Sequence, residues 1–582
     1  MNEDLRTLAD EYWEYVLETN PTEAHMLGDY RYMDRFEDAS RNAEDADISA
    51  KRSFAQRSRA FDSSELSSSD LTTQETLIYV TESSAGVAEM RQAEFGIDPI
   101  FGLQQLVHVL IPQMSVETAE HADMMLDKYV SFASSVDQAS ERLREGVTTG
   151  RVNADFAVTR TLDQLDAILG EPIEESPFLA AQVPDEFSEQ DAEAWRERAS
   201  AVVRDAVNPA FERYRNVIRD EVAPVARPDD RAGLFGLSDG DIVYSRLIEK
   251  YTTLPMQAGE IHKVGLQQID KLADEYREIA GPAIGATSLD EIFAALRDDP
   301  ALHHTSGENV IAAAESAFAK AKAEMGNWFG RLPKSDCVVR ETKSGPVAFY
   351  FPPADDGSRE GTFFMNTQDP TSWGTFEIEA TAFHEGIPGH HLQIAIAQEL
   401  GDTIPAFQRN AFISAYGEGW GLYTERLADE MGLYGSHLDR VGMLMADSMR
   451  ACRLVVDTGM HALGWSRQQG IDYMATNSPM AMHSIVEEID RYLSMPGQAV
   501  SYMIGRLEIQ RMRADAEAAM GGQFDIKGFH DAVLGSGLVT LPTLDRIVKE
   551  WSSLEQNDVE TGRLRSITEY VQRVKRRGEG GI

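Results

Sequence analysis

The segment FHEGIPGHHLQ, residues 383–393, holds three of the 13 histidines in this 582-residue chain. A zinc-dependent hydrolase typically carries two histidines four residues apart on one helix, with a glutamate directly after the first. Here the glutamate is present as Glu385, but the fourth residue after His384 is Pro388, and the next histidines stand at 390 and 391. The segment therefore indicates either a metal site with two inserted residues or a chance cluster of histidines.

Helical geometry leaves the choice of the second histidine open. A regular helix turns by about 100° per residue, which points His390 away from His384 and returns His391 to the same face. Pro388 lacks a backbone N–H and disfavours a regular helix, while Gly389 adds backbone freedom. A bulge over the Ile-Pro-Gly stretch would take up two residues and bring His390 to the position of a second ligand. Spacing alone does not decide between the two histidines.

A third ligand is expected from a separate helix, because catalytic zinc sites use three protein ligands and keep one position open. The segment AYGEGWGLYTERL (415–427) has the apolar spacing of a helix, and Glu418 lies within it. A carboxylate in such surroundings is costly unless it is paired, hydrogen-bonded or bound to a metal. Glu425 lies seven residues further on, on roughly the same face, and a structural salt bridge is the alternative role for either glutamate. The order of His-Glu, a further His and then a helical Glu favours metal binding.

The composition limits the partners of the chain. It has 96 acidic and 54 basic residues, a net charge of −42, and such a surface repels nucleic acid and anionic membranes. We therefore expect neither as a partner. Two cysteines, Cys337 and Cys452, predict buried thiols in a reducing compartment and no disulfide framework. The N-terminus has no apolar signal region and no run of 18 apolar residues occurs, so a cytoplasmic protein is expected.

The apolar spacing predicts a mainly α-helical protein with one β element. Helical spacing occurs over residues 74–95, 115–145, 154–169, 188–224 and 256–280. Residues 38–75 are polar and are expected to form a surface excursion between helices. The runs PVAFYFPP (346–353) and GTFFMNT (361–367) predict a β-hairpin or small sheet, with a turn at Asp356-Gly357. Helices are expected again over 371–580, and the basic segment 570–582 is expected to fray.

Several blocks of the sequence resemble the DUF885 family, a group of bacterial proteins similar to zinc metallopeptidases of the gluzincin type. The blocks are HEGIPGH (384–390), EGWGLYTERL (418–427), FPPADDGSREGTFFMNT (351–367), RYLSMPGQAVSYMIGRLEI (491–509) and EYWEYVLETNPTEAHMLGDYRYMD (11–34). The resemblance covers nearly the whole chain. We expect one large helical domain over 1–582, as one unit or two lobes around a deep cleft. The metal-site region would span about 340–510, with the β element beside its helices.

The resemblance implies a role for each candidate site residue. The histidine that follows glycine is the fixed one in the family motif, so His384, His390 and Glu418 would hold one Zn²⁺ per chain. Glu385 would be the general base for a metal-activated water, and the substrate would be a short peptide. His391 would support the site or contact the substrate. Tyr502 is the first candidate for a donor to the oxyanion, and the alternatives are Tyr492, His461 and Arg506.

Further residues are candidates for substrate binding. An extended peptide could add to an exposed edge of the strand 361–367, where Asn366 could bond its backbone or simply form a turn. Arg453 could clamp a substrate carboxylate or pair with one of the many acidic residues, and His461 and Arg506 complete this group. The pair His303-His304 is expected in a surface loop.

Two other functions remain open at the sequence level. A metal-dependent hydrolase of another amide or ester would use the same ligands, and a non-catalytic peptide-binding protein would keep the motif for structure alone. The sequence also leaves open the peptide sequence, endo- or exopeptidase action, and the oligomeric state. The set of two histidines and one glutamate favours zinc over other divalent metals.

Overall fold

The computed structural model describes residues 2–343, 345–354 and 359–561, and their fold is mainly α-helical with one small sheet, as the sequence predicts. The first helices are α1 (Glu3–Thr19), α2 (Pro21–Met26), α3 (Arg41–Arg59), α4 (Ser68–Ala88), α5 (Leu103–Leu110), α6 (Ala119–Thr149), α7 (Asp155–Gly170), α8 (Glu189–Val202), α9 (Asn208–Val217), α10 (Gly240–Thr252), α11 (Ala258–Glu275), α12 (Gly281–Ile284) and α13 (Leu289–Asp298). The later helices are α14 (Gly307–Trp328), α15 (Glu377–Glu385), α16 (His390–Glu399), α17 (Ala406–Asn410), α18 (Ser414–Glu430), α19 (His437–Ala462), α20 (Arg467–Asn477), α21 (Met482–Ser494), α22 (Ser501–Met520), α23 (Ile526–Leu534) and α24 (Leu541–Thr561).

Short helical turns of other types connect or extend these helices. Turns of 3-10 helix lie at Tyr30–Tyr32, Gln92–Phe95, Ile111–Gln113, Ile173–Glu175, Pro177–Leu179, Ala223–Val225, Asp229–Arg231, Leu234–Gly236, Pro300–Leu302, Pro370–Ser372, Gly401–Thr403 and Gly521–Gln523. Turns of π-helix lie at Val203–Val207, Ile218–Val222 and Tyr276–Ala280. They extend α8, α9 and α11, so that the helical spacing predicted for 188–224 and 256–280 runs on through them.

Helix α6 illustrates how local sequence sets a helix in this chain. The Thr118 side chain accepts a hydrogen bond from the His121 N–H and caps the first turn, and Gly150 ends the helix at a φ of 77°. Between them, Met125, Leu126, Tyr129, Phe132, Ala133 and Val136 are all buried. Their spacing of three and four residues places them on one face, which explains why this helix is predictable from sequence.

The prediction of a surface excursion over residues 38–75 is wrong, because this segment forms α3 and the start of α4. Ser40 and Ser67 cap the two helices by accepting hydrogen bonds from backbone N–H groups. Helix α3 buries few side chains, among them Phe54, which packs in a small core with Leu77 of α4 and Phe407 of α17. A helix with so narrow a buried face has a polar composition similar to that of a loop.

The sheet has three strands, β1 (Cys337–Thr342), β2 (Ala348–Phe351) and β3 (Gly361–Asn366), in the order β1-β3-β2. The β2–β3 pair is antiparallel, as predicted, while β1 was not predicted and pairs with β3 in parallel. Because β3 is bonded on both sides, the prediction that a peptide adds to the edge of this strand is wrong. The predicted turn at Asp356-Gly357 lies outside the described residues.

The largest core joins the sheet to the helices that carry the histidine segment. Phe318 of α14, Phe363 of β3, Phe383 of α15 and Trp420 of α18 are all buried in it. A second core lies among α6, α8 and α9, and a third among α10, α11, α13 and α19. Helix α18 packs along α22 and also against α15, α16 and α19, so the two parts of the histidine and glutamate pattern meet within one packed layer of helices.

Some expectations about the whole chain stay predictions. These are the single domain over 1–582 and the deep cleft. The segment 570–582, which was expected to fray, lies outside the described residues. Within the described ranges, no single helix is long and apolar enough to cross a membrane, although α11 and α12 (Ala258–Ile284) together with α13 (Leu289–Asp298) reach that length and composition as a pair bent by 56°.

Candidate metal centre

The histidine segment folds as two short helices joined by a tight turn. Helix α15 ends at Glu385, residues 386–389 form the turn with a cis peptide between Ile387 and Pro388, and α16 begins at His390. The two extra residues are therefore taken up by a break between helices, and the expectation of a bulge within one helix is wrong. A Cβ on Gly389 would overlap the backbone carbonyl oxygen of His384, so this turn requires glycine there.

A hydrogen bond from another helix also stabilises the turn at residues 386–389. The indole Nε1–H of Trp420, on α18, donates a hydrogen bond of 3.0 Å to the carbonyl oxygen of Pro388. As a result α16 starts beside the end of α15, and the ring centroids of His384 and His390 lie 4.9 Å apart. The choice that spacing left open is thus made by the turn, which brings His390 next to His384.

Glu418, on α18, completes a group of three possible ligands. Its Oε2 lies 3.6 Å from Nε2 of His384 and 3.4 Å from Nε2 of His390. One ligand atom from each residue lies within 4.8 Å of the others, which is the arrangement of a site that could hold a metal ion. The side chains of His384, His390 and Glu418 are only 4%, 11% and 13% exposed. Two imidazoles and one carboxylate are also the donor types that zinc prefers.

The charges of this group depend on one another. Burial disfavours the charged imidazole of His384, but hydrogen bonds to Glu418 and Glu425 outweigh that effect and raise its pKa to about 9. Burial likewise favours the neutral form of Glu418, yet His384 and His390 hold the pKa of its carboxyl well below the ordinary value. The group therefore concentrates negative charge beside two imidazoles, which a divalent cation can bind by displacing protons.

Glu425 holds His384 from the side away from Glu418. Its Oε1 lies 2.7 Å from Nδ1 of His384, and its side chain is 1% exposed. A carboxylate that accepts the Nδ1–H of a histidine fixes the tautomer in which Nε2 is free to bind a metal. The sequence places Glu425 on the face of Glu418 but predicts no role for it at the metal. The signal was its spacing of seven residues, two helical turns, from Glu418.

Gly421 lies between the two glutamates on the same helix and makes room for the imidazole. A Cβ at this position would lie 2.7 Å from Cε1 and 2.8 Å from Nε2 of His384. Such contacts are well inside the normal separation of about 3.5–4.0 Å. The sequence Glu-Gly-Trp-Gly-Leu-Tyr-Thr-Glu thus supplies two carboxylates and, between them, the space that one histidine occupies.

Glu385 is the residue directly after His384, at the end of α15, and is partly buried. Within the described ranges, its carboxylate has no hydrogen bond or ion pair with another side chain. A carboxylate without such a partner is free to accept a proton from a water molecule at the neighbouring group.

His391 points away from the group and joins α16 to the sheet. Its Nε2 lies 3.1 Å from the carbonyl oxygen of Ser335, and its Nδ1 lies 2.9 Å from the hydroxyl of Tyr350 on β2. The imidazole therefore donates to Ser335 and accepts from Tyr350. Burial lowers the pKa of His391 to about 4, so it is neutral at physiological pH. Its contacts are those of a structural residue.

Tyr502 lies at the first turn of α22, close to the group. Burial raises the pKa of its hydroxyl, and the charge of Glu418 adds to the effect. The hydroxyl accepts a hydrogen bond of 3.4 Å from the side-chain amide of Gln498. The Cζ atoms of Arg453 and Arg450, one turn apart on α19, lie 4.4 Å and 5.7 Å from the centre of its ring. Tyr502 and Arg453 are thus near the candidate metal centre.

Arg453 pairs with an acidic residue, as the alternative reading of the sequence expected. Its Nη2 donates to Glu488 at 2.9 Å, and its Nε donates to the hydroxyl of Tyr492 at 2.8 Å. Its Nη1 is buried and has no hydrogen-bond partner among the described atoms. The pairing therefore leaves the Nη1 amino group of the guanidinium unused.

The other predicted substrate-binding residues have structural partners. The two ring nitrogens of His461 bond the backbone N–H of Leu234 and the carbonyl oxygen of Tyr492, both at 3.1 Å. Arg506 is buried and donates to Asp447. Asn366 forms a turn, in which its amide donates to the carbonyl oxygen of Gly345 at 3.0 Å and its Oδ1 accepts from the Gln368 N–H at 3.0 Å.

The His303-His304 pair is partly buried, and its backbone packs against residues 373–374. The expected surface loop is therefore a packed connection. Neither histidine belongs to the group of His384, His390 and Glu418.

Comparison with known proteins identifies the family. The model of the DUF885 family, described as bacterial proteins of unknown function, matches residues 21–548. No curated protein sequence matches the chain. Among solved structures, a candidate lipoprotein from Colwellia psychrerythraea is similar with a TM-score of 0.87 and 24% identity, over 94% of this chain and 99% of that one. A candidate lipoprotein of unknown function from Shewanella oneidensis has a TM-score of 0.72 and 16% identity, over 94% and 99% of the two chains.

A third structure is more remote. A candidate oligoendopeptidase F from Bacillus anthracis str. Ames has a TM-score of 0.35 and 10% identity, over 89% of this chain and 95% of that one. So low a score supports no inference about this protein. The two higher scores show a shared fold, and the match of the family model spans most of the sequence. The chain therefore belongs to the DUF885 family of bacterial proteins of unknown function.

Proposed function

We propose that this protein is a zinc-dependent peptidase that hydrolyses short peptides. The observation that supports it most is the convergence of His384, His390 and Glu418 from three helices, with Glu425 behind His384. Glu385, the next residue after His384, has no side-chain partner among the described residues. Structural ion pairs do not require two imidazoles and a carboxylate to meet in this way. Such a set is typical of a catalytic zinc site that keeps one position open.

His384 and His390 would hold the ion through Nε2, and Glu418 through a carboxylate oxygen. Zn²⁺ at this position supplies a Lewis acid that polarises the scissile carbonyl and makes water a stronger nucleophile. Glu425 keeps the Nδ1–H of His384 directed to itself, so Nε2 is the nitrogen that would give up its proton to a metal ion on the other side of the ring.

Glu385 is the proposed proton carrier. Its carboxylate accepts the proton that the attacking water loses and delivers it to the leaving amine nitrogen. This role needs a carboxylate beside the metal group without a competing cation. Glu385 directly follows His384 at the end of α15 and has no side-chain partner among the described residues, which supports this role.

Tyr502 is the proposed donor to the oxyanion that forms during attack. It lies near Glu418, and its hydroxyl proton is free to point to the substrate because the hydroxyl accepts from Gln498. Loss of one such donor typically costs about 3 kcal/mol of transition-state stabilisation. The buried, hydrogen-bonded surroundings keep the phenol protonated, which a donor requires.

The test combines metal analysis with peptide hydrolysis. We expect about one zinc per chain in the wild type, none in His390→Ala and one in the matched control His391→Ala. The reason is that, of these two adjacent histidines, only His390 lies beside His384 and Glu418. Glu385→Gln should keep zinc and lose hydrolysis of a mixed peptide library. A wild type that binds no divalent metal when zinc is supplied would contradict the proposal. Zinc binding with hydrolysis of esters or other amides alone would restrict it to another hydrolase.

A further inference from the structure

A cluster of guanidinium groups from α19 and α21 lies beside the ring of Tyr502. Arg450 and Arg453 lie against the ring on consecutive turns of α19. Arg491, at the end of α21, shares the Glu488 carboxylate with Arg453. In a chain with 96 acidic residues, a local group of three cations next to a candidate catalytic centre requires an explanation.

The carboxylates around this cluster do not neutralise it. Glu488 accepts from both Arg453 and Arg491, each at 2.9 Å. Asp457 faces the same two guanidinium groups but is engaged by the backbone N–H of Gly497. Arg450 has no ion pair among the described residues. The cluster therefore keeps an excess of positive charge.

Arg450 is the group with free hydrogen-bonding capacity. Its Nε is buried without a partner, and its one hydrogen bond, from Nη1 to the Ala446 carbonyl oxygen, is long at 3.5 Å. Arg453 adds a second unpartnered donor, Nη1, on a residue that is 4% exposed. Buried N–H donors without partners are costly, and a ligand that accepts from them would remove that cost. Planar guanidinium groups bind carboxylates by paired hydrogen bonds.

The cluster is also close to the candidate metal centre. Arg450 lies near His384, and Tyr502 lies near both Arg453 and Glu418. The Cζ atoms of Arg453 and Arg450 lie 4.4 Å and 5.7 Å from the centre of the Tyr502 ring. A carboxylate held by the cluster would therefore lie close to a carbonyl held at Tyr502.

We propose that Arg450 and the Nη1 of Arg453 form a subsite for the C-terminal carboxylate of a peptide, so that the proposed hydrolysis acts near the C-terminal end of the substrate. This inference rests on the proposed peptidase function for its reaction, and on the geometry alone for its ligand. Glu488 positions Arg453 and leaves its Nη1 amino group for the substrate. The excess charge at Arg450 supplies the attraction that the acidic surface lacks.

The test measures binding separately from hydrolysis. Zinc-loaded Glu385→Gln protein is titrated by calorimetry with N-acetyl-tetraalanine, once as the free acid and once as the C-terminal amide. The acid should bind about 10- to 100-fold more tightly, as expected for a charge-assisted contact. Adding Arg450→Gln should remove this preference and leave the affinity for the amide unchanged. Arg450→Lys keeps the charge but loses the planar guanidinium group, so it should keep part of the preference for the acid.

The matched control is Arg440→Gln on the same helix, since Arg440 pairs with Asp429 by two hydrogen bonds away from the cluster. It should keep the full preference for the acid. Thermal melting of each variant shows whether it is folded. Equal affinity for acid and amide, or a preference that survives Arg450→Gln, overturns the subsite. A preference for the acid in a protein whose wild type hydrolyses neither peptide would instead overturn the peptidase proposal and leave the subsite standing.

Discussion

Replacing Gly421 by alanine tests the site through the space around one imidazole. The new Cβ would lie 2.7 Å from Cε1 and 2.8 Å from Nε2 of His384, whereas such atoms normally stay about 3.5–4.0 Å apart. The ring must therefore move by roughly 1 Å. It cannot move without cost, because Glu425 holds its Nδ1 at 2.7 Å and is anchored on the same helix as Gly421.

The size of the effect follows from the tolerance of metal coordination. Ligand distances at a metal are kept to within about 0.2 Å, so a shift of roughly 1 Å weakens or removes one of three ligands. Changes that only disturb the support of a ligand typically reduce metal affinity about 10- to 100-fold. We expect a loss of this size, equivalent to about 1.4–2.8 kcal/mol. Alanine is the better helix former by about 1 kcal/mol, so loss of the helix is not the cause.

The assay is a competition titration of zinc between the metal-free protein and a chromogenic chelator. The matched control is Gly417→Ala, one turn earlier on α18, where the nearest atom to a Cβ is Cε2 of Phe412 at 3.2 Å. Phe412 is 62% exposed and can move aside, so the control should bind zinc like the wild type. If Gly421→Ala also binds zinc like the wild type, the assignment of Nε2 of His384 as a ligand is refuted.

Three further predictions concern the supports of the site and the effect of pH. Glu425→Gln should weaken zinc binding about tenfold or more in the same titration, because the amide no longer stabilises the metal-binding tautomer of His384; unchanged affinity would contradict that role. His391→Phe should keep zinc but lower the free energy of unfolding in urea by about 1–3 kcal/mol, because the Tyr350 hydroxyl loses its partner; loss of zinc with normal stability would instead make His391 a ligand. Burial lowers the pKa of His530, on α23, to about 3, below the unfolded value of about 6.5. Between these two pH values the unfolded chain binds one more proton than the folded chain, so the free energy of unfolding falls as the pH drops. In His530→Gln the slope of unfolding free energy against pH between about 6 and 4 should be smaller by about 1.4 kcal/mol per pH unit, and an equal slope would show that His530 is protonated in the fold.

The helical class is predictable from sequence because it depends on local spacing. A buried face such as that of α6 repeats every three or four residues and is bounded by its own caps, Thr118 and Gly150. Helix α3 was missed because its buried face is narrow, and β1 was missed because a strand is stabilised by residues distant in sequence. The pairing of Cys337 with Gly361 in β3 joins positions 24 residues apart, and no local sequence pattern predicts it.

Some features of the candidate site likewise follow from the sequence, and others only from the tertiary structure. The donor types and the spacing of Glu418, Gly421 and Glu425 along one helix are properties of the sequence, because a helix fixes which residues share a face. Tertiary structure decided that His390 and not His391 joins His384, since that depends on the turn at 386–389 and on the Trp420 hydrogen bond to it. It also decided that Arg450 has no ion pair among the described residues. The ion pairs of a guanidinium depend on which helices pack around it, and that packing is a property of the whole fold.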